Sequence, residues 1–291
     1  MPKPERNPNV EDRNLTAAHQ TLWHSDFGLL SGLGFRSSGF VLDFGNRGQD
    51  GAGVVTFARF MAIADIRREY SLGGLNRADL DANPLAQFNQ WFAQVASGSR
   101  WRKIGIALYK LWHAMLGHTP IDVNAMVLAT VDKAGRPSTR AVLLKSVDER
   151  GFIFFTNYDS RKGRELAENP GAALTFYWPD SEREVCVAGK VSKLPPDESE
   201  AYFKSRPRGS RLAAWASNQS DVVTDRAVLE KKWNEMAARF PADVPLPPNW
   251  GGYVLKPERI EFWQGRLNRL HDRFCYTRQA DHSWKLERLA P

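Results

Sequence analysis

Basic and hydroxyl side chains form three short clusters in this sequence, and the first has the composition of a phosphate site. Its members are Arg140, Lys145, Thr156, Ser160, Arg161 and Lys162. Ser160 stands where it can cap a helix, so free backbone amides, a hydroxyl group and two cations lie at one helix start. Such a site favours a dianion, because all of these groups offer hydrogen bonds or positive charge. The alternative interpretation is a helix cap with two solvated basic residues.

A second cluster lies in the run Tyr-Phe-Lys-Ser-Arg-Pro-Arg-Gly-Ser. Its members are Tyr202, Arg206, Arg208 and Ser210. Pro207 is expected to end one helix and Ser210 to cap the next, which again gives an anion-binding composition at a helix N-terminus. Two separate phosphate sites in one chain indicate that two phosphorylated ligands meet in one site.

Arg269, His271 and Arg273 form the third cluster, after the β-prone run Ile-Glu-Phe-Trp-Gln. On an extended backbone, their spacing of two places the side chains on one face. Three cations together are unfavourable unless an anion or an electron-rich ligand faces them. A single histidine usually has a structural role, but the flanking arginines favour a functional one here.

Strands must position most of these residues, because β-prone apolar stretches dominate the chain after residue 124. The predicted strands are residues 125–131, 139–147, 151–156, 172–178, 184–194, 252–255, 258–263, 273–278 and 283–288. A helix at residues 160–168 and two or three helices between residues 197 and 240 are inserted among them. The predicted fold is mainly β with inserted helices (α+β), as a closed or nearly closed barrel of antiparallel hairpins.

The first third of the chain has a different character. Apolar residues recur at helical steps in residues 61–95, with a break at Gly73-Gly74, and again in the basic amphipathic stretch 100–116. Residues 1–60 are rich in Gly, Ser, Asn and Asp and show no persistent period, so they are predicted to be mostly disordered. The sequence thus predicts an N-terminal extension, residues 1–60, and a single domain, residues 61–291. The hypothesis that translation starts at Met61 accompanies this boundary.

Composition narrows the function classes. The formal net charge is +7, and a basic surplus attracts nucleic acid, acidic lipid or phosphorylated small molecules. Cys186 and Cys275 lack the spacing of a disulfide framework or a zinc site, so no metal is expected. There is no apolar run of about 18 residues to span a membrane and no secretory signal, so a cytoplasmic location is expected. Neither a dinucleotide-binding glycine pattern nor a P-loop occurs.

Taken in order, the three clusters and the segments between them resemble the pyridoxamine/pyridoxine 5'-phosphate oxidase family. The resembling segments are residues 67–75, 142–145, 160–162, 205–208, 214–217, 260–264 and 269–274, with the ending Leu289-Ala290-Pro291. The resemblance implies a split β-barrel that binds FMN across a homodimer interface. It also implies oxidation of pyridoxamine or pyridoxine 5'-phosphate to pyridoxal 5'-phosphate, with O2 as acceptor and hydrogen peroxide as product.

The resemblance further implies roles for single residues. By matching position, the FMN residues are Arg140, Lys145, Phe155, Thr156, Ser160, Arg161, Lys162, Glu184, Gln219, Ser220, Trp263 and Arg273. The residues implied to bind the substrate phosphate are Lys145, Tyr202, Arg206 and Ser210. Arg269 and His271 are implied to lie over the pyridoxyl ring as the catalytic pair. Arg67 and Tyr70 resemble a segment that folds over the bound substrate.

Three features depart from the family pattern. Glu184 stands where relatives often carry Gln, which places a carboxylate where an amide both donates and accepts hydrogen bonds. Phe155 occupies a position that is often Tyr, a change expected to be mild. Residues 98–118 make the link before the first strand longer than usual, and we interpret this as surface decoration, with contact to a partner or a membrane as the alternative.

Three other functions remain open from the sequence. One is another FMN split-barrel oxidoreductase with a different substrate, and the second is a non-catalytic flavin- or pyridoxal-phosphate-binding protein. The third is a nucleic-acid-binding protein, suggested by the positive charge and many aromatic residues. The basic residues cluster in short pockets rather than in a long stripe, which argues against nucleic acid as a partner.

Overall fold

A computed structural model describes residues 69–97 and 122–291 of the chain. The predictions for residues 1–60, Met61, Arg67, the helix at 100–116 and the longer link at 98–118 lie outside the described residues. The helices are α1 (Pro84–Ser97), α2 (Arg161–Glu168), α3 (Pro196–Ser205), α4 (Arg208–Ala216) and α5 (Arg226–Arg239). The strands are β1 (Ala125–Val131), β2 (Pro137–Leu143), β3 (Ser146–Asp148), β4 (Gly151–Asn157), β5 (Gly171–Trp178), β6 (Arg183–Lys193), β7 (Trp250–Gln264), β8 (Asp272–Arg278) and β9 (Trp284–Leu289).

The strands form one antiparallel sheet, as the succession of hairpins predicts. Neighbouring strands follow the order β2-β1-β5-β6-β7-β4-β3, and β8 joins β7 and β9 on a branch from this path. One face carries the core, which includes Leu128, Phe176, Phe262 and Phe274, all of them buried. The mainly β fold with inserted helices is confirmed.

Strand β7 connects the two parts of the sheet. Along one edge it pairs with β6 from Tyr253 to Gln264. It also pairs with β4 through residues 250–255 and with β8 through residues 259–264. The sequence prediction of two strands, 252–255 and 258–263, is wrong, because the chain continues through Lys256-Pro257. The register with β6 shifts there, opposite Ala188 and Gly189.

Helix α1 covers the core with one apolar face. Phe88 is fully buried, and its ring centroid lies 4.9 Å from those of both Phe152 and Phe176. Trp91 meets Phe262 edge to face at 5.1 Å. The three- and four-residue spacing in this part of the sequence therefore does mark a helix face. No helix in residues 69–97 or 122–291 is long and apolar enough to cross a membrane.

Other local predictions are corrected by the structure. Residues 69–83 contain no α-helix, only the short 3-10 turn Arg77–Asp79. The predicted strand 139–147 is divided into β2 and β3, because Leu144 and Lys145 turn away to pair with Asn124 and Ile153. The prediction of two or three helices after residue 196 is confirmed, since α3, α4 and α5 lie within residues 196–239. Ser160 caps α2 as predicted, since its hydroxyl oxygen accepts the Gly163 N–H at 3.3 Å.

Candidate active site

A cavity of about 970 Å³ opens beside the edge strand β2 and is walled by β4, α2, α3 and α4. The predicted site residues that line it are Arg140, Lys145, Phe155, Thr156, Arg161, Lys162, Tyr202, Arg206, Ser210, Gln219 and Ser220. Strand β2 contributes six consecutive residues, Ser138 to Leu143, so side chains from both of its faces take part. The first two sequence clusters therefore meet in one cavity.

A buried cation lies at the start of α2. Lys162 is 7% exposed, and its ammonium group donates to Gln219 Oε1 at 2.8 Å and to the hydroxyl oxygens of Thr156 and Ser160 at 3.2 Å. Burial lowers the pKa of Lys162 to about 8, and the positive charge of Arg140 adds to this effect. All three hydrogen-bond acceptors are neutral, and the nearby charge of Glu165 only partly opposes the lowering, so an anion in the cavity would stabilise the protonated lysine further.

The two arginines of the first cluster share one carboxylate. Glu165 Oε1 accepts from Arg161 Nε at 2.8 Å, and its Oε2 accepts from Arg140 Nη2 at 3.2 Å. Ser138 and Thr130 donate hydroxyl hydrogen bonds to the same Oε2. Although burial by itself raises the pKa of Glu165, the hydroxyl hydrogen bonds and Arg161 lower it to about 2. The carboxylate thus stays ionised and fixes both guanidinium groups at the cavity wall.

The second cluster builds an aromatic wall. Tyr202 stacks on Phe155 with ring centroids 3.9 Å apart, and Trp250 lies nearly parallel to both rings. The Arg206 guanidinium lies over Trp250, 4.6 Å from the ring centroid. Arg206 Nη1 is buried and has no hydrogen-bond partner, and burial lowers the pKa of Arg206. An unpaired buried guanidinium N–H is costly, and Arg206 is the one arginine with such a group among the residues that line the cavity.

Two predictions about this cluster are corrected. Pro207 does follow the end of α3, but α4 starts already at Arg208. Ser210 lies inside the first turn of α4 and makes no cap hydrogen bond, so it does not cap the helix. Arg208 points away to the Phe240 carbonyl oxygen, at 2.6 Å, and does not line the cavity.

The third cluster lies elsewhere in the chain. The rings of Tyr70, Trp263 and His271 contact one another, with centroids 4.6–5.5 Å apart. His271 Nδ1 accepts the Arg266 backbone N–H at 3.1 Å, so the neutral imidazole carries its proton on Nε2. Burial, and next the charge of Arg269, lower the pKa of His271. None of these residues lines the cavity described above.

The extended backbone predicted for this cluster is wrong. Arg269 ends the 3-10 turn Leu267–Arg269, and Asn268 and Arg269 have φ angles of 56° and 60°. A spacing of two therefore does not place Arg269, His271 and Arg273 on one face. Arg273 is on β8 and pairs with Glu261, at 2.7 Å, so this cation already has a carboxylate partner.

Glu184 belongs to the same region as the third cluster. It lies opposite Trp263 in the β6–β7 register, and Trp263 lies opposite Arg273 in the β7–β8 register. Its Oε1 accepts a hydrogen bond from the Cys186 thiol at 3.3 Å. The predicted FMN residues are therefore divided between the cavity and this row across β6, β7 and β8.

Sequence comparisons identify the family. Residues 120–240 match the family described as pyridoxamine 5'-phosphate oxidase, and residues 250–291 match the pyridoxine 5'-phosphate oxidase C-terminal dimerisation region. The pyridoxine/pyridoxamine 5'-phosphate oxidase of Paraburkholderia phytofirmans is 51% identical over 231 residues, which cover 79% of this chain and 99% of the relative. The same enzyme of Burkholderia thailandensis is 52% identical over the same shares of both chains. This chain belongs to the pyridoxine/pyridoxamine 5'-phosphate oxidase family.

A solved structure shares the oxidase fold. PhzG from Burkholderia lata, crystallised with tetrahydrophenazine-1-carboxylic acid, is 34% identical, with a TM-score of 0.56. The match covers 64% of this chain and 92% of PhzG. The fold is the split β-barrel that the sequence resemblance implies. Trp263, Arg269, His271 and Arg273 all lie within the dimerisation region of the oxidase family.

Sequence reasoning missed two residues that shape the cavity, Glu165 and Trp250, and one that lies beside the third cluster, Glu182. Glu165 had a signal, because it follows Arg161 by four residues on a helix, the spacing of an ion pair. Trp250 had none, since its contacts with Phe155 and Tyr202 join distant segments. Glu182 accepts the N–H groups of residues more than 100 positions earlier, which no local pattern indicates.

Proposed function

We propose that this protein oxidises pyridoxine and pyridoxamine 5'-phosphate to pyridoxal 5'-phosphate, with FMN as cofactor and O2 as electron acceptor. For pyridoxine phosphate, the products are the aldehyde and hydrogen peroxide. For pyridoxamine phosphate, water is also consumed and ammonia is released. The observation that carries this proposal is the single cavity lined both by Lys162 and Arg161 and by Arg206 and Lys145, two groups of cations suited to two phosphates.

The first group fits the phosphate of FMN. Lys162 is buried among neutral oxygens, and the Arg161 backbone N–H at the start of α2 donates to Ser220 Oγ at 3.2 Å. Arg140, Arg161, Lys162, Thr156, Gln219 and Ser220 would hold the cofactor. FMN supplies the two-electron redox chemistry when bound, which agrees with a site that is rich in binding groups.

The second group fits the phosphate of the vitamer. Arg206 offers its buried, unpaired Nη1–H, and the Lys145 ammonium group lies 5.9 Å from the centre of the Tyr202 ring. Ser210 adds a hydroxyl to the same wall. Because Phe155 and Trp250 stack beside Tyr202, this wall is rigid and orients the substrate by its phosphate end.

A homodimer would complete the site. His271 and Trp263 lie in the family's dimerisation region and outside the cavity of their own chain. The sheet face that carries Val127, Leu143 and Tyr177 leaves each of them 39–49% exposed, which makes an apolar surface suited to a second copy. We place the third cluster of one protomer at the cavity of the other.

In this arrangement the third cluster acts on the pyridoxyl ring. Arg269 is exposed and has a positive φ, so its guanidinium is presented by a tight turn rather than by a strand. Burial and the charge of Arg269 lower the pKa of His271, which favours the neutral imidazole, and the Nε2–H of that form is available as a donor. Arg269 orients the ring, and His271 binds it or holds a proton during the oxidation.

The cytoplasmic location expected from the sequence stays a prediction.

The test is an assay with each phosphorylated vitamer. The purified protein should show a flavin absorption spectrum, which pyridoxine 5'-phosphate bleaches under anaerobic conditions, and should form peroxide in air. Unphosphorylated pyridoxine is the matched control, because it lacks the group that Arg206 is proposed to bind. A flavin spectrum that no phosphorylated vitamer bleaches would instead identify a non-catalytic flavin protein.

A second candidate rests on the similarity to PhzG. The ligand in that structure carries a carboxylate in place of a phosphate, and an arginine such as Arg206 binds either group. Comparing kcat/KM for pyridoxine 5'-phosphate and for tetrahydrophenazine-1-carboxylic acid separates the two candidates. The identity of 51% to the vitamer oxidases, against 34% to PhzG, favours the vitamer.

A further inference from the structure

The segment that carries Tyr70 is held to the sheet by two carboxylates. Residues 69–76 have no regular secondary structure, so their backbone N–H groups need partners from elsewhere. Ser71 and Leu72 both donate to Glu182 Oε2, at 2.9 and 3.0 Å. Leu75 donates to Asp272 Oδ2 at 2.9 Å. These two side chains therefore tie the backbone of the segment to the sheet.

Glu182 is itself fixed from several sides. It is 3% exposed and sits between β5 and β6 with a φ of 53°, a conformation that few residues other than glycine adopt. Its carbonyl oxygen accepts the Gly265 N–H at 2.8 Å and the Gln264 side-chain amide at 3.2 Å. One residue thus joins the Tyr70 segment to the end of β7, next to Trp263.

Contacts with Gly265, Trp263 and His271 restrict the position of the Tyr70 ring. The absence of a side chain at Gly265 is required, because a Cβ there would lie 2.6–2.8 Å from three Tyr70 carbons. The Tyr70 ring stands edge-on to Trp263 at 5.4 Å and to His271 at 5.5 Å. A shift of Ser71 and Leu72 would therefore move the ring off both partners.

We propose that Glu182 is a positioning residue: by accepting the N–H groups of Ser71 and Leu72, it places Tyr70 against His271 and Trp263. This inference rests on the proposed function, in which His271 faces the pyridoxyl ring. Glu182 has no place in the cavity lining, so it acts on the substrate through Tyr70. Hydrogen bonds to a charged acceptor are stronger than neutral ones, which suits a carboxylate for holding an irregular segment.

The experiment combines a double-mutant cycle with backbone hydrogen exchange, both on the full-length holoenzyme. E182A and Y70A should each lower kcat/KM for pyridoxine 5'-phosphate by about tenfold, the size expected for lost hydrogen bonds to a charged acceptor. The double variant E182A/Y70A should be no slower than the slower single variant, because both changes remove one arrangement. E182Q keeps an acceptor oxygen and should recover most of the rate. E258Q, which changes an exposed glutamate on β7, is the control.

Hydrogen exchange gives a readout that does not depend on catalysis. In E182A the amides of Ser71 and Leu72 should exchange faster than in the wild type and in E182Q, while FMN affinity stays unchanged. G265A provides a second route, since it leaves the carboxylate in place and displaces the Tyr70 ring by contact. It should lower kcat/KM as Y70A does and leave the Ser71 and Leu72 exchange slow.

The outcomes distinguish a failure of the positioning role from a failure of the proposed function. Losses in E182A and Y70A that multiply in the double variant would overturn the positioning role, as would unchanged exchange at Ser71 and Leu72 in E182A. If the wild type oxidises no phosphorylated vitamer, the proposed function fails, and the exchange experiment still decides whether Glu182 holds the segment. If E182A does not fold, E182M, which keeps the length of the side chain and offers no acceptor oxygen, replaces it in the same comparison.

Discussion

The affinity for FMN should fall as the pH rises through about 8, because of Lys162. Burial lowers the pKa of this lysine to about 8. All the acceptors of its ammonium hydrogen bonds are neutral oxygens. Below that pH the free protein already carries the charge that a phosphate needs. Above it, binding the dianion requires the lysine to take up a proton, and the cost of that uptake weakens binding.

The magnitude follows from the titration of one group. With a pKa of about 8, the protonated fraction of Lys162 drops from roughly nine-tenths at pH 7 to roughly one-tenth at pH 9. The dissociation constant for FMN should therefore rise about tenfold over that interval, with a slope that approaches one log unit per pH unit above 8. The phosphate of FMN is already a dianion there, since its second pKa is about 6.

The assay is a titration of the apoprotein with FMN, followed by quenching of the flavin fluorescence at a series of pH values. Riboflavin lacks the phosphate, so its affinity should not show the inflection. In K162R the cation stays charged throughout, because arginine does not deprotonate in this range, and the inflection should disappear. A ratio of FMN to riboflavin affinity that is independent of pH, or an unchanged inflection in K162R, would refute the role assigned to Lys162.

Three further predictions concern the substrate pocket, the shared carboxylate and the core. R206M should raise KM for pyridoxine 5'-phosphate about tenfold or more, since Arg206 belongs to the second group of cations. Its FMN affinity, measured by fluorescence titration, should stay unchanged. Equal losses of affinity for both ligands would contradict this assignment. Glu165 has a folded pKa of about 2 against an ordinary value of 4.5, so its contribution is present above about pH 4.5 and is lost as pH falls toward 2. That contribution is on the order of 3 kcal/mol, and urea denaturation of E165Q should show a correspondingly flatter decline in unfolding free energy over this interval. F88A should lower the free energy of unfolding by about 3–5 kcal/mol at fixed protein concentration, and a loss under about 1 kcal/mol would show that the core rearranges to fill the space.

The sequence predicts the sheet well wherever local patterning and tertiary environment agree. Alternation and β-branched runs locate six strands to within two residues at each end, because burial on one face of a sheet imposes a period of two. It fails at Lys256-Pro257, where proline normally ends a strand. Here the strand changes its partner on one edge and shifts register on the other, so the proline falls where the pairing is already interrupted.

Two other predictions fail because contacts between distant parts of the chain, rather than local patterning, set the backbone conformation. The helix predicted around Tyr70 rests on the spacing of apolar residues. The Tyr70 ring instead packs on Trp263 and His271 from a segment without regular secondary structure, so its spacing does not reflect a helix face. The shared face predicted for Arg269, His271 and Arg273 assumes an extended backbone, which the positive φ values at Asn268 and Arg269 exclude. The boundary between residues 1–60 and the domain from residue 61 stays a prediction.

The three basic clusters have similar compositions in the sequence, but in the fold only some of their members have a carboxylate partner. Arg140 and Arg161 share Glu165, and Arg273 is paired with Glu261. Lys162, by contrast, donates only to neutral oxygens, and Arg206 keeps a buried N–H without a partner. Burying a cation without a hydrogen-bonded anion opposes folding, so a ligand's negative charge at these two positions would stabilise the folded protein. Residue type and spacing cannot make this distinction, because it depends on which carboxylates the fold brings near each cation. It is the absence of a hydrogen-bonded carboxylate partner, more than the presence of a basic residue, that supports the two proposed phosphate positions.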